Sequence, residues 1–460
     1  MNWASWAKCV VCGALRNRAS MLSAARIFLI VLMVVGAWLQ PRARADDWPQ
    51  WQGPTQDGVW HEQGILERFP EGGPRRVWAA GVGGGYAGPA VAEGRVYVTD
   101  FLADDPRQND PNSRAARQGR ERILCFDASD GRLLWKHEYP CRYEISYPAG
   151  PRATPTVCEG RVYTLGAEGN LLCLDAEQGS VIWQHDLKKR FQVETPIWGF
   201  TCHPLCDGER VYCLTGGSAG ILTAFNAKTG EPIWQSVRAA ELGYSTPRIF
   251  EINGQRFLVF WHPHAVVGLD PENGKELWSV PIEPMYGMSI MAPLRWEDYI
   301  FVSGIGNQSV LLRLANPRGG VKEVYRGTPR TSVYSVCAPP VAYRGVLYGS
   351  CQQGHFRAVD LATGERLWET FAPTTGKDRA SSACAFVVRN GERFFLFSEK
   401  GDLIIARLTR ERYEEIDRAH ILDPTNEAFG RSVVWCHPAF AGRNMYVRND
   451  EQLVCVSLAE

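Results

Sequence analysis

Apolar runs of four to six residues, broken by polar turns that hold Gly, Asp or Pro, recur along most of the chain after residue 75. Residues 150–187 show the pattern most clearly. Pro155 leads into Thr156-Val157, and Gly160-Arg161 turns the chain into Val162-Tyr163-Thr164. Gly166 and Gly169 flank a reversal into Leu171–Leu174, and Asp175 to Gly179 reverses the chain again into Val181-Ile182-Trp183. Turn-bounded runs rich in β-branched and aromatic residues predict four short strands. Strands this short need partner sheets to be stable.

The same phrases return. Gly160-Arg161-Val162-Tyr163 reappears as Gly94 to Tyr97, as Glu209 to Tyr212 and, worn down, as Gly345 to Tyr348. The last turn recurs at Asp127 to Gly131, Asn226 to Gly230, Asp270 to Gly274 and Asp360 to Gly364, each followed by Trp135, Trp234, Trp278 or Trp368. From Trp135 to Trp368 the Trp markers are spaced 48, 51, 44 and 90 apart, with Tyr325 filling the position missing from the last interval. A period in this range with four strands per unit predicts propeller blades.

Innermost strands are expected to start near Pro89, Pro155, Pro204, Pro247, Pro293, Pro339, Cys384 and Pro438. Outermost strands are expected at Trp78, Trp135, Trp183, Trp234, Trp278, Tyr325, Trp368 and Ile416. Both series count eight, but Trp78 precedes the first innermost strand and no outer strand follows Leu453–Val456. The reading is therefore an all-β, eight-bladed propeller whose N-terminal strand completes the last blade, which removes two open sheet edges.

The order G-R-V-Y, Gly-rich turn, L-x-x-x-D-x-x-x-G-x-x-x-W resembles the PQQ-like (pyrroloquinoline-quinone-type) β-propeller repeat over roughly residues 75–460. That repeat is shared by quinoprotein dehydrogenases, by BamB-like scaffolds of outer-membrane protein assembly, and by many secreted proteins that look non-enzymatic. The resemblance implies the fold and leaves the activity open. A quinoprotein dehydrogenase would imply PQQ with calcium, an adjacent Cys-Cys pair against the quinone, an Asp base, and acidic and amide metal ligands. No two cysteines are adjacent in this sequence, and its loops are short.

The N-terminal region changes the picture of location. Arg26 precedes an apolar run of about thirteen residues, Ile27 to Leu39, and Ala43-Arg44-Ala45 forms a small-residue cleavage site. Residues 1–45 read as a secretory signal peptide, with Met21 as an alternative start. No Cys stands next to the cut, so no lipid anchor is expected, and the product is expected to be exported to the periplasm or cell exterior. An uncleaved segment would be the one route to a membrane. Removing residues 1–45 leaves 44 basic against 50 acidic residues, which argues against a nucleic-acid surface.

Residues 46–74 form a Trp-rich leader opening Trp48-Pro49-Gln50-Trp51, expected to pack over one end of the propeller, and 75–460 form the single propeller domain. Residues 103–122 read as a flexible insertion in blade 1. Twelve cysteines follow the signal, and Cys202 and Cys206 are the pair nearest in sequence. Asp127, Asp175, Asp270 and Asp360 each precede a turn Gly and read as turn formers. His262, His264, His203 and His437 show no metal-ligand spacing.

The residues just ahead of each innermost strand are Tyr86, Arg152, Phe200, Tyr244, Met288, Tyr334, Arg379 and Arg431. They predict a channel rim of aromatics, one Met and three Arg, with the positive charge on one side. Guanidinium groups beside aromatic faces suit a carboxylate-bearing or planar anion. The favoured reading is a monomeric, non-catalytic scaffold that binds a protein partner or a small anionic ligand, with no cofactor and no catalytic residue. The alternative is a PQQ/calcium-dependent dehydrogenase.

Overall fold

The computed structural model describes residues 46–105, 113–252, 254–316 and 320–460. The expected signal peptide, residues 1–45, lies outside the described residues. Eight antiparallel four-stranded sheets are arranged as blades. From innermost to outermost strand, blade 1 comprises Ala90–Ala92, Arg95–Ala103, Arg117–Asp127 and Leu133–Tyr143. Blade 2 comprises Thr156–Cys158, Arg161–Leu165, Asn170–Asp175 and Val181–Asp186. The next five innermost strands start at Leu205, Arg248, Leu294, Val341 and Ala385, each within two residues of its predicted start.

Blade 8 closes the ring. Its inner three strands are Ala439–Ala441, Asn444–Arg448 and Gln452–Ser457, and its outermost strand is Arg76–Gly81. Trp78 faces Cys455 and Ala79 faces Val454 across that last pairing.

One interaction, repeated around the ring, joins neighbouring blades. Trp78, Trp135, Trp183, Trp234 and Trp368 each donate the indole N–H to a carbonyl in the outer turn of the next blade, at Ala128, Ala176, Ala227, Pro271 and Thr409, over 2.9 to 3.2 Å. Tyr97, Tyr163 and Tyr212 donate to three of the same carbonyls at 3.1 Å, filling both lone pairs. The turn Gly lies beneath the ring: a Cβ on Gly179 (φ 71°) would stand 2.5 Å from Trp135. Tyr325 covers Gly364 in the same way, as its place in the spacing indicated. Burying one such ring removes roughly 150–250 Å² from water, which at about 25 cal/mol per Å² is an upper estimate of about 4–6 kcal/mol.

The turn acids are structural. Asp127 accepts from Ser129 N at 2.9 Å, Asp270 from Glu272 N at 2.9 Å and Asp360 from Thr363 N at 3.0 Å. Cys206 bonds Cys158, 48 residues away, and Cys202, its nearest cysteine in sequence, is a buried free thiol. Both bonded residues lie in innermost strands of adjacent blades, so their separation matches the Trp135–Trp183 interval.

One expectation is corrected. Part of the expected insertion is strand, because Arg117, Gly119 and Glu121 point inward while Gln118 and Arg120 point out, an alternation that the charged residues mask. Residues 106–112 lie outside the described residues. The glycines after Gly81 are not a slack connection: Gly84 pairs with Phe101, and a Cβ there would meet Ala149 O at 2.3 Å. A hairpin, Asn426–Ala428 with Arg431–Val433, stands between blades 7 and 8 and was not predicted.

Candidate functional site

The channel has two mouths. At one, the innermost strands end in tight turns. At the other, they begin, fed by the longer connections from the preceding blade.

The leader occupies the first mouth. Trp48 bridges to Val91 in blade 1, and Val157 N of blade 2 donates to Pro49 O at 2.8 Å. Across the channel, Arg389 N of blade 7 donates to Gly58 O, and Trp60 N donates back to Arg389 O, both at 2.8 Å. Trp48 is 2% exposed and Trp60 1%, each packed edge-on or tilted against Phe440. Trp51 stacks on His203 at 4.5 Å, meets His437 at 5.4 Å and lies under the Arg248 guanidinium at 5.3 Å. Burial pushes His437 down to about 3 and holds His203 well below the usual imidazole range. Between the leader and the innermost strands of blades 3 to 6 a cavity of about 600 Å³ remains.

The second mouth carries the predicted rim. Tyr86 and Arg152 meet there, with the guanidinium 5.1 Å over the ring. Arg152 donates to the carbonyls of Gly150, Ser146 and Tyr147 at 2.5 to 2.8 Å, and burial lowers its pKa. Burial raises the Tyr86 phenol, whose hydroxyl bonds Asn426 of the unpredicted hairpin. Tyr244 packs edge-on against Trp198 at 5.4 Å. Met288 is half-buried after a tight turn, Met285–Gly287.

The remaining rim residues separate. Phe200 is 1% exposed, wedged onto Gly169 between blades 2 and 3. Tyr334 is buried, with its hydroxyl on Thr328 O at 2.5 Å. Arg379 is exposed. Arg431 is held by Glu399, Nε to Oε1 at 2.7 Å, and by Ser381 O. The three arginines therefore have different neighbours and do not form one cluster.

The carboxylates of this mouth are committed to internal partners. Glu121 accepts from the hydroxyls of Tyr139 and Tyr143 and from Ala167 N at 2.8 Å. Glu168 accepts from Lys188 and Thr195, both at 2.6 Å. Glu399 also accepts from Trp435 Nε1 at 2.9 Å. Asp450 accepts from Gly85 N at 3.0 Å, while its buried second oxygen has no hydrogen-bond partner among the described residues, and burial raises its pKa. No set of three or more His, Cys, Asp or Glu side chains converges as a metal site among the described residues.

Sequence reading missed a second set of aromatics at this mouth, half-buried Tyr147 and Trp435 and exposed Phe429 and Tyr286. Tyr147, Phe429 and Trp435 group with ring centroids 6.0 to 6.3 Å apart. Phe429 is 56% exposed at the hairpin tip, and Tyr286 is 75% exposed on the connection into blade 5. Tyr147, Tyr286 and Phe429 all have left-handed backbone, at φ 56°, 62° and 51°. A signal existed in Phe429-Gly430, which fills a turn that ordinarily takes Asn-Gly.

Comparison with known proteins adds the relatives. No curated protein sequence matches the chain. Among solved structures, BamB from Moraxella catarrhalis is similar at 15% identity and a TM-score of 0.55, covering 84% of this chain and 99% of that one. A quinohemoprotein alcohol dehydrogenase from Comamonas testosteroni is similar at 12% identity and a TM-score of 0.57, covering 91% and 82%. A europium-containing methanol dehydrogenase is similar at 12% identity and 0.58, covering 89% of each. At such identities the likeness is one of fold. The family model described as outer membrane protein assembly factor BamB matches residues 119–370, more than half of the chain. On that match, carried by the same repeats that build blades 1 to 6, the chain belongs to the BamB family of PQQ-like β-propellers.

Proposed function

We propose that this protein is an exported, non-catalytic scaffold that holds a protein partner on the mouth where the innermost strands begin. The observation carrying this reading is the display of Tyr147, Tyr286 and Phe429 on left-handed backbone. A bulky L-residue in that conformation costs about 1–2 kcal/mol. Two of the three, Tyr286 and Phe429, are well exposed and bury little that would offset the cost. Aromatics with a nearby Arg are typical of interaction hot spots. Arg431 lies 5.8 Å over Phe429, and its bond to Glu399 fixes the hairpin base.

The donor set of this mouth does not fit a calcium-bound quinone. Calcium takes six to eight oxygen ligands, whereas Glu121, Glu168 and Glu399 already accept hydrogen bonds from tyrosine, lysine, threonine, arginine and tryptophan donors. The free Asp450 oxygen is a single donor. Export is supported by the apolar run and small-residue site of residues 26–45, and agrees with the outer-membrane assembly named by the family.

Two measurements test the reading. A photo-crosslinking side chain at position 429 or 286 is expected to give one discrete protein adduct in cells, whereas the same group on the exposed outer strand at Ile233 gives none. Titration with PQQ and calcium, followed by dye-linked alcohol oxidation, is expected to show neither stoichiometric binding nor turnover. Turnover would overturn the scaffold reading.

A further inference from the structure

We propose that the cavity beside the leader is a binding site for a small organic carboxylate with an apolar body. The site lies at the mouth opposite the proposed partner surface. Its volume, about 600 Å³, is in the usual range for small-molecule sites.

Charge is the first reason. Arg248 lines the cavity and is only 5% exposed. Its two terminal nitrogens donate to the carbonyl of Gln56 and the side-chain carbonyl of Gln52, both neutral acceptors in the leader. Its Nε–H has no acceptor among the described residues. A buried guanidinium whose hydrogen-bond partners are all neutral is costly, and burial pushes Arg248 down to about 9 against a smaller opposing pull from the Asp57 charge, with which it forms no ion pair. Arg389, half-buried in the wall of the same cavity, donates to Gly391 O and lies 4.8 Å over the Tyr343 ring, and its buried Nε–H is likewise without an acceptor among the described residues.

The acids of the cavity do not neutralise these arginines. Asp207 is paired with Arg256, and Asp57 accepts from the Thr55 hydroxyl at 2.7 Å and from Val59 N at 3.1 Å. Glu297 is exposed, and Arg295 is exposed and donates to the Glu297 carbonyl at 2.9 Å. Among the described residues neither Arg248 nor Arg389 has a carboxylate within ion-pair distance.

Shape is the second reason. Phe250, Leu294, Trp296 and Pro340 supply apolar wall between the two guanidinium groups. A hydrated inorganic anion would leave that wall unsatisfied, and a neutral apolar molecule would leave the arginines unpaired. An apolar or aromatic carboxylate satisfies both, since guanidinium pairs carboxylate oxygens directly. The leader supplies two of the groups that position Arg248, so the site exists only while the leader is docked.

The test is calorimetric titration of the purified protein with 2-naphthoate, with 2-naphthylmethanol and sulfate as controls. The expected result is one saturable naphthoate site, with the alcohol at least about tenfold weaker, the usual worth of a charge-assisted hydrogen bond. Arg389→Gln is expected to lower naphthoate affinity without moving the melting temperature. Arg248→Gln also loses leader contacts, so it is judged by the naphthoate-to-alcohol affinity ratio, which is expected to fall to about one. Absence of saturable binding, equal affinity for the alcohol, sulfate binding as tightly as naphthoate, or an unchanged ratio in both variants would each overturn the proposal.

Discussion

The two mouths of the channel are built from the same eight innermost strands, yet one is filled and the other is dressed with exposed rings. At the leader mouth, Trp48, Trp51 and Trp60 are all buried, and backbone bonds tie the leader to blades 1, 2 and 7. At the loop mouth, Tyr286 and Phe429 stand in solvent on unfavourable backbone. The repeats are the same at both ends. The difference comes from the non-repeating segments: a leader that packs aromatics inward and connections that turn them outward. In a propeller of this kind, the repeat builds the frame and the irregular segments carry the specialised chemistry.

The sharpest way to break this comparison is to remove one buried ring. Trp60→Ala is expected to cost about 3–5 kcal/mol, as for a fully buried aromatic, measured by denaturant unfolding. A loss below 1 kcal/mol would mean that the leader only rests on the channel mouth.

Acid offers a second, smaller contrast. His437 is neutral in the folded protein until about pH 3, whereas in the unfolded chain it takes a proton near 6.5. Above pH 6.5 it contributes no pH dependence. Between 6.5 and about 3 the unfolded state binds the extra proton, so stability falls with acidification by about 1.4 kcal/mol per pH unit. His203 acts in the same direction. Unfolding measured between pH 7 and 5 is expected to show this slope, and His437→Phe to reduce it. An unaltered slope in that variant would place the acid sensitivity outside the leader mouth.

The smallest effect belongs to the exposed rings. Phe429→Ala and Tyr286→Ala are each expected to change stability by no more than about 0.5 kcal/mol. A loss of several kcal/mol would make these side chains part of the frame and remove the contrast between the two mouths.

The frame was legible because each blade restates it. Pro155, the Gly-Arg-Val-Tyr hairpin, the turn Asp and the Trp four residues after the turn Gly are local signals, and their recurrence fixed the register of every blade. Even the absent Trp at 325 could be read from its neighbours' spacing. The sites were less legible because they depend on residues that occur once. Phe200 and Tyr334 precede innermost strands as Tyr86 does, yet local packing buries them. The Asn426–Val433 hairpin was hidden because Phe429 stands where an Asn would announce the turn. Trp60 and Arg248 belong to no repeated phrase, and only the folded ring brings the leader against blade 4. The Cys158–Cys206 bond was readable in retrospect, as a separation of about one blade.

Closure by Arg76–Gly81 has a consequence in time. This strand leaves the ribosome before any other strand of the ring, and the strand it pairs with, Gln452–Ser457, leaves after all the other strands described. Every blade between them can form while its neighbours are still being made, but the circle cannot. A chain that stops short of Gln452 leaves Trp78 and the open edge of Asn444–Arg448 without their neighbour. The closing sheet thus works as a check on the ring: it distinguishes a closed circle from an interrupted one by a contact that needs both Arg76–Gly81 and Gln452–Ser457.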